Sequence, residues 1–133
     1  MAELREIAKE IALIQLLNLP ALEAIRRLDR ETTFFYADPP YTHGARAAGS
    51  RASYAHEMSD EDHAALCDAL NGIKGRAAIS GYENPIYAAR LCGWNRYEYA
   101  TQTGDFSGSA RTSRTEVVWL NYDPNEGQGA LAL

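Results

Sequence analysis

An α/β fold, with a mainly parallel sheet and a C-terminal antiparallel hairpin, is predicted by three features of the 133-residue sequence. Phe34-Phe35-Tyr36-Ala37 is an apolar run too short for a helix, and it is cut off by Pro39-Pro40, which have no N–H to give to a sheet ladder. Ala77-Ala78-Ile79-Ser80 is a second short apolar run, and a helix start, Ser59-Asp60-Glu61-Asp62, lies between the two. Two further strand-like runs, 94–101 and 115–122, follow with no helical pattern between them, and such a pair closes as an antiparallel hairpin.

The elements follow in chain order. Residues 2 to about 12 carry Leu4, Ile7, Ala8 and Ile11 at helical spacing, and Leu13 to Leu17 can extend that helix. Asn18 is a possible cap for a second helix, with Pro20 in its first turn and Leu22, Ile25 and Leu28 on one face. That helix leads into strand 33–37. Being apolar on both faces, the strand is expected in the middle of a sheet covered by helices. Residues 42–57 form a polar loop. In the helix after it, Ser59 is the N-cap, the acidic first turn complements the helix dipole, and Leu66, Ala69 and Leu70 face inward. Gly72 or Gly75 ends it. The strand 77–80 stops at Gly81-Tyr82, Pro85 to Leu91 is a short helix, and a long loop, 104–113, joins the last two strands.

Composition excludes several classes of protein. The length suits one domain, and 46% hydrophobic with 23% charged residues is ordinary for a soluble globular chain. A formal charge of −5 argues against a chain that grips nucleic acid over its whole surface, although a local basic patch remains possible. Cys67 and Cys92 are too few for a disulfide framework and read as reduced thiols of a cytoplasmic protein. No apolar run is long enough for a membrane span, and the first residues lack a signal peptide's apolar block. The tail after Tyr122, residues 123–133, reads as a flexible end beyond a single domain of residues 1–122.

Asp38 is the centre of the chemistry. It stands at the carboxyl end of a strand, where open α/β sheets bind ligands. Asp38-Pro39-Pro40-Tyr41 combines a carboxylate, a stiff backbone with unpaired carbonyls, and an aromatic ring in one tight turn. A lone Asp-Pro is more often only a strand ending at a turn. Here the tetrapeptide is accompanied in order by Tyr54-Ala55-His56-Glu57-Met58, Ser80-Gly81-Tyr82, and Arg114-Thr115-Glu116-Val117-Val118-Trp119-Leu120-Asn121-Tyr122. Over residues 14 to 122 this pattern resembles the Dam-type DNA adenine N6-methyltransferases with their Asp-Pro-Pro-Tyr motif.

The resemblance implies a partial Rossmann-like class I methyltransferase sheet, with a short strand at Ile14-Gln15-Leu16-Leu17. It implies S-adenosylmethionine as cofactor, DNA as substrate, and an exocyclic amine as the methyl acceptor. That amine is a poor nucleophile because its lone pair is delocalised into the ring. Two acceptors on its hydrogens, the Asp38 carboxylate and the Pro39 carbonyl, would aim the lone pair at the methyl donor and stabilise the developing positive charge. Pro40 stiffens the turn. Tyr41 would stack on the base once it has left the duplex. Asp38, Tyr36 and Ser80 are the positions expected on the cofactor side. Relatives carry a glycine-rich cofactor loop upstream of this motif, whereas the first glycine of this chain is Gly44. The chain therefore reads as the C-terminal catalytic half of such an enzyme, working with a complementing N-terminal half or by self-association. The alternative is a non-catalytic remnant or accessory domain that binds nucleic acid or protein.

Weaker signals complete the expectations. Arg46 and Arg51, with Arg111 and Arg114 from the later loop, read either as a phosphate-facing rim or as ordinary surface arginines. Tyr54 and Tyr82 read either as pocket lining or as half-buried packing. His43, His56 and His63 match no zinc spacing, and no metal is expected.

Overall fold

The computed structural model describes residues 11–42, 58–103 and 112–126. Among the described residues, three helices and four strands make an open α/β unit: α1 (Ala21–Leu28), β1 (Phe34–Ala37), α2 (Asp60–Asn71), β2 (Arg76–Gly81), α3 (Pro85–Arg90), β3 (Asn95–Thr103) and β4 (Thr112–Leu120). The expected helix over residues 2–12, the loop 42–57 and most of the tail lie largely outside the described residues. Asp123 to Glu126 form a turn, in which the Asn125 N–H donates to Asp123 Oδ1 at 2.8 Å.

The sheet order is β1-β2-β4-β3. β1 pairs with β2 in parallel, while β4 runs antiparallel to both β2 and β3. The expectation of a mainly parallel sheet is thus corrected: one pairing is parallel and two are antiparallel. The reason is that the hairpin docks through its second strand. β4 enters between β2 and β3 and reverses the ladder on both of its sides. β3 consequently still points along β1 and β2.

Pairing and alternation divide the sheet into two faces. Ala77, Ile79, Val117 and Trp119 point to the helices and join Ile25, Leu66, Cys67, Leu70, Tyr87 and Leu91 in one core. The Tyr87 ring meets Trp119 edge-on, with centroids 5.3 Å apart. Phe34 and Tyr36 point the other way and are 52% and 62% exposed, because no described element covers that face. The expectation that β1 is a buried central strand is corrected accordingly. It is the edge strand of the described sheet, and its apolar pattern covers one buried and one open face.

Local chemistry accounts for the helices. Ser59 and Asp62 form a reciprocal capping box at the start of α2, and Gly72 closes its other end. Asn84 caps α3 by accepting the Tyr87 N–H at 2.9 Å. Two expectations fail near the N-terminal end. Ile14 to Leu17 form no strand, and Pro20, not Asn18, is the N-cap of α1. Leu13 and Leu16 are 89% and 92% exposed, so no neighbouring strand or core fixes this stretch among the described residues. On α1, Ile25 is buried while Leu22 and Leu28 remain half-exposed, so the predicted apolar face is only partly used.

The parallel pair is locked at its start. The Asp29 carboxylate accepts backbone N–H groups from Lys74 and Gly75 at 3.0 and 3.1 Å. A Cβ at Gly75 would fall 2.4 Å from the Thr33 carbonyl oxygen, so only glycine permits this approach of the two connections. Asn121 seals the opposite side of β2, with its amide oxygen accepting the Ala77 N–H at 2.7 Å.

The core carries its own alkaline limit. Burial pushes the Cys67 thiol from 9.0 up to about 11, and burial also raises the Tyr87 hydroxyl, which lies 2.9 Å from His63 Nδ1. Both groups hold their protons more tightly folded than unfolded. Their contribution is therefore complete below the unfolded pKa values and is lost as pH rises through the folded ones. Urea midpoints should stay level between about pH 7 and 9 and fall steadily above that. A midpoint unchanged up to pH 11 would contradict the burial of these two groups.

Candidate functional site

The parallel pairing of β1 and β2 brings their carboxyl ends to one edge of the sheet. Asp38 to Tyr41 leave the end of β1, and Tyr82 leaves the end of β2. β4 runs the other way, so the first half of β4 reaches the same edge. One register step beyond the Gly81–Val117 pair sets Glu116 beside Tyr82. Three segments far apart in sequence thus converge because two strands are parallel and the third is reversed.

Asp38 lies past the last paired residue of β1, as expected, and is exposed. Ser80, nearly buried on β2, donates its hydroxyl to Asp38 Oδ1 at 2.8 Å, and the Ala37 carbonyl stands at 3.4 Å as a poorer alternative acceptor. The Tyr36 hydroxyl donates to Ser80 Oγ at 3.2 Å. Tyr36, Ser80 and Asp38 therefore form one directed chain of hydrogen bonds across β1 and β2. It fixes one carboxylate oxygen of Asp38, while the other accepts from none of the described residues.

Tyr41 is held on two sides. Its hydroxyl donates to Glu116 Oε1 at 3.0 Å, and its ring lies against Tyr82 with centroids 4.4 Å apart and planes tilted by 35°. Burial holds the Tyr41 hydroxyl protonated well beyond the ordinary phenol range, and the Glu116 carboxylate and the Tyr82 hydroxyl add to this. Tyr41 is a neutral donor and a flat surface, not a base. A shallow depression runs beneath the two rings, lined by Pro39, Thr42, Ser80, Gly81 and Asn84 among others. Asn84 anchors its floor: its amide nitrogen donates to the Tyr82 carbonyl at 3.0 Å while its oxygen caps α3.

The structure thus gathers Tyr36, Asp38, Pro39, Pro40, Tyr41, Ser80 and Tyr82 at one edge. Arg46, Arg51, Tyr54 and Arg111 lie outside the described residues. Arg114 is on β4 opposite Thr101, farther along the hairpin than Glu116. The sequence reading gave no role to Glu116 or Asn84. The available signal for Glu116 was a carboxylate next to the apolar run Val117-Val118-Trp119-Leu120, on the face opposite Val117 and Trp119. Among the described residues, no three His, Cys, Asp or Glu side chains are grouped to hold a metal ion, and no helix is long and apolar enough to cross a membrane.

The turn presents hydrogen-bond acceptors and, among the described residues, does not by itself fit the holding of S-adenosylmethionine. Pro39 and Pro40 offer no backbone N–H, and Asp38 and Glu116 each have one oxygen engaged by Ser80 and Tyr41. Among the described residues, no glycine-rich turn follows β1 or β2 to cradle a ribose or a carboxylate. Comparison of the chain with protein-family models and with curated proteins found no match in either.

Proposed function

We propose that this chain supplies the base-holding half of a DNA adenine N6-methyltransferase. The observation that carries the reading is the fixed carboxylate of Asp38, at the mouth of a parallel strand pair and next to the Pro39 carbonyl and the Tyr41 ring. One oxygen is oriented by Ser80, and the other, which accepts from none of the described residues, would accept from a substrate. That is the arrangement needed to take one hydrogen of an amine, with Pro39 taking the second. Tyr36 and Ser80, expected beside a cofactor, act in this reading by orienting Asp38. The methyl group comes from S-adenosylmethionine held by a complementing half, and DNA is the substrate. The test is transfer of labelled methyl to adenine-containing DNA by the chain together with a glycine-loop half of such an enzyme. Absence of transfer by a folded, associated pair would overturn the reading.

A second reading, an accessory domain that works by association, is favoured by the open face of the sheet. Phe34, Tyr36 and Tyr99 are each more than half exposed there, and β1 has a free edge in the described sheet. Exposed edges and apolar faces of this kind seek pairing. Light scattering of the chain alone should show mass rising with concentration, and Phe34→Lys on the open face should suppress it. A monomer at all concentrations would count against association through this face.

A further inference from the structure

We infer that Glu116 is a positioning residue for the methyl transfer: through the Tyr41 hydroxyl it fixes the plane on which the adenine stacks beside Asp38. The inference rests on the adenine reading above and adds to it how the stacking ring is held. Tyr41 follows two prolines beyond the last β1 pairing, so no sheet ladder restrains it locally. Its side chain has two torsions to set, and the ring torsion is a broad one. The structure fixes the ring at its far end instead. The Tyr41 hydroxyl donates to Glu116 Oε1 at 3.0 Å, and the Tyr82 hydroxyl is hydrogen-bonded to the same phenol. With the Tyr41 proton given to Glu116, Tyr82 is the donor in that second bond. The Tyr82 ring also backs one face of Tyr41, with centroids 4.4 Å apart. A base therefore stacks on the opposite face of Tyr41, against a ring that is already held.

Glu116 is the anchor of the three. Its backbone lies inside the β3–β4 ladder, opposite Tyr99, and the next residue, Val117, is buried in the core. A carboxylate acceptor makes its bond to Tyr41 charge-assisted, which is stronger and more directional than a bond between neutral groups. The tether joins residues 75 apart in sequence, so the ring takes its orientation from the sheet rather than from its own turn. Asp38 does the same, because Ser80 of β2 holds its carboxylate at 2.8 Å. β2 and β4 are paired neighbours. The ring and the carboxylate are thus both set by one strand pair, and a fixed relation between them is what orienting an amine requires.

The experiment measures kcat/KM for transfer of labelled methyl to adenine-containing DNA by the full chain paired with a glycine-loop half. Glu116→Leu keeps bulk and removes the acceptor. It is expected to lower kcat/KM about 2- to 10-fold, the cost of ordering one side chain that is no longer held in advance. Glu116→Gln retains an acceptor oxygen and is expected to recover most of that loss. Tyr41→Phe cuts the same bond from the other end while keeping the ring, and should match Glu116→Leu. The double variant should be no slower than either single one, because both remove one shared interaction. Thermal melts of each variant confirm that it is folded, and Tyr41→Phe carries the test if Glu116→Leu does not fold. Wild-type kcat/KM in Tyr41→Phe or in folded Glu116→Leu would overturn this inference and leave the adenine reading standing. A full further loss in the double variant would also overturn it, since Glu116 would then act on something other than Tyr41. So would a loss in Glu116→Gln as large as in Glu116→Leu, since charge and not the tether would then matter. No transfer by the wild-type pair would overturn both.

Discussion

Asp38→Ala should reduce methyl transfer by the reconstituted pair at least about 10²- to 10³-fold, the usual cost of removing one preorganised polar group from a transition state. The loss should appear in kcat, with DNA affinity nearly unchanged. In the proposed reading Asp38 acts on charge that develops only as the amine is methylated, whereas stacking and phosphate contacts act equally before and during that step. The fold should survive. The side chain is exposed beyond the last β1 pairing, so its loss creates no cavity. Ser80 loses its acceptor at 2.8 Å but retains the Ala37 carbonyl at 3.4 Å. Asp38→Asn is the sharper variant. It keeps the shape and one acceptor oxygen, but it exchanges the other oxygen for a donor, which repels an amine hydrogen if that face is presented. Full activity of Asp38→Ala, or a loss confined to DNA affinity, would contradict the role assigned to the carboxylate.

Trp119→Ala should have the largest effect on stability, about 3–5 kcal/mol by urea denaturation. The indole is 2% exposed, packs edge-on against Tyr87, and sits opposite Ile79 on the strand that joins β2 to β3. Truncation removes its buried area and leaves a hole that helices on one side and a sheet on the other cannot both close. A domain of this size has only about 5–15 kcal/mol in reserve, so the variant should approach the threshold of unfolding. Tyr99→Ala is the contrasting case. It lies on the other face of the sheet, 57% exposed, and should change stability by no more than about 0.5 kcal/mol. A Trp119→Ala variant as stable as Tyr99→Ala would mean that the core does not lie between the helices and this face.

The sequence alone determined the elements whose signals are local. The Ser59 capping box, the proline at the start of α3 and the stop of β1 at Pro39-Pro40 act within a few residues, and each sits where it was expected. The position of Asp38 beyond a strand end was legible for the same reason, since prolines end a ladder whatever lies beside it. The sheet's internal order was not legible. Whether a hairpin docks through its first or second strand depends on which strand better buries its inward residues. Val117 and Trp119 settle that by joining Ala77 and Ile79 on the face that the helices cover. The exposure of β1 was likewise beyond local reading, since Phe34-Phe35-Tyr36 is equally apolar whether one face is covered or two. Tertiary structure also brought Glu116 to Tyr41 and Ser80 to Asp38, pairs 75 and 42 residues apart. A single sequence encodes that Asp38 and Tyr41 share a turn. That they share it with a serine and a glutamate follows only from two parallel strands and a reversed third meeting at one edge.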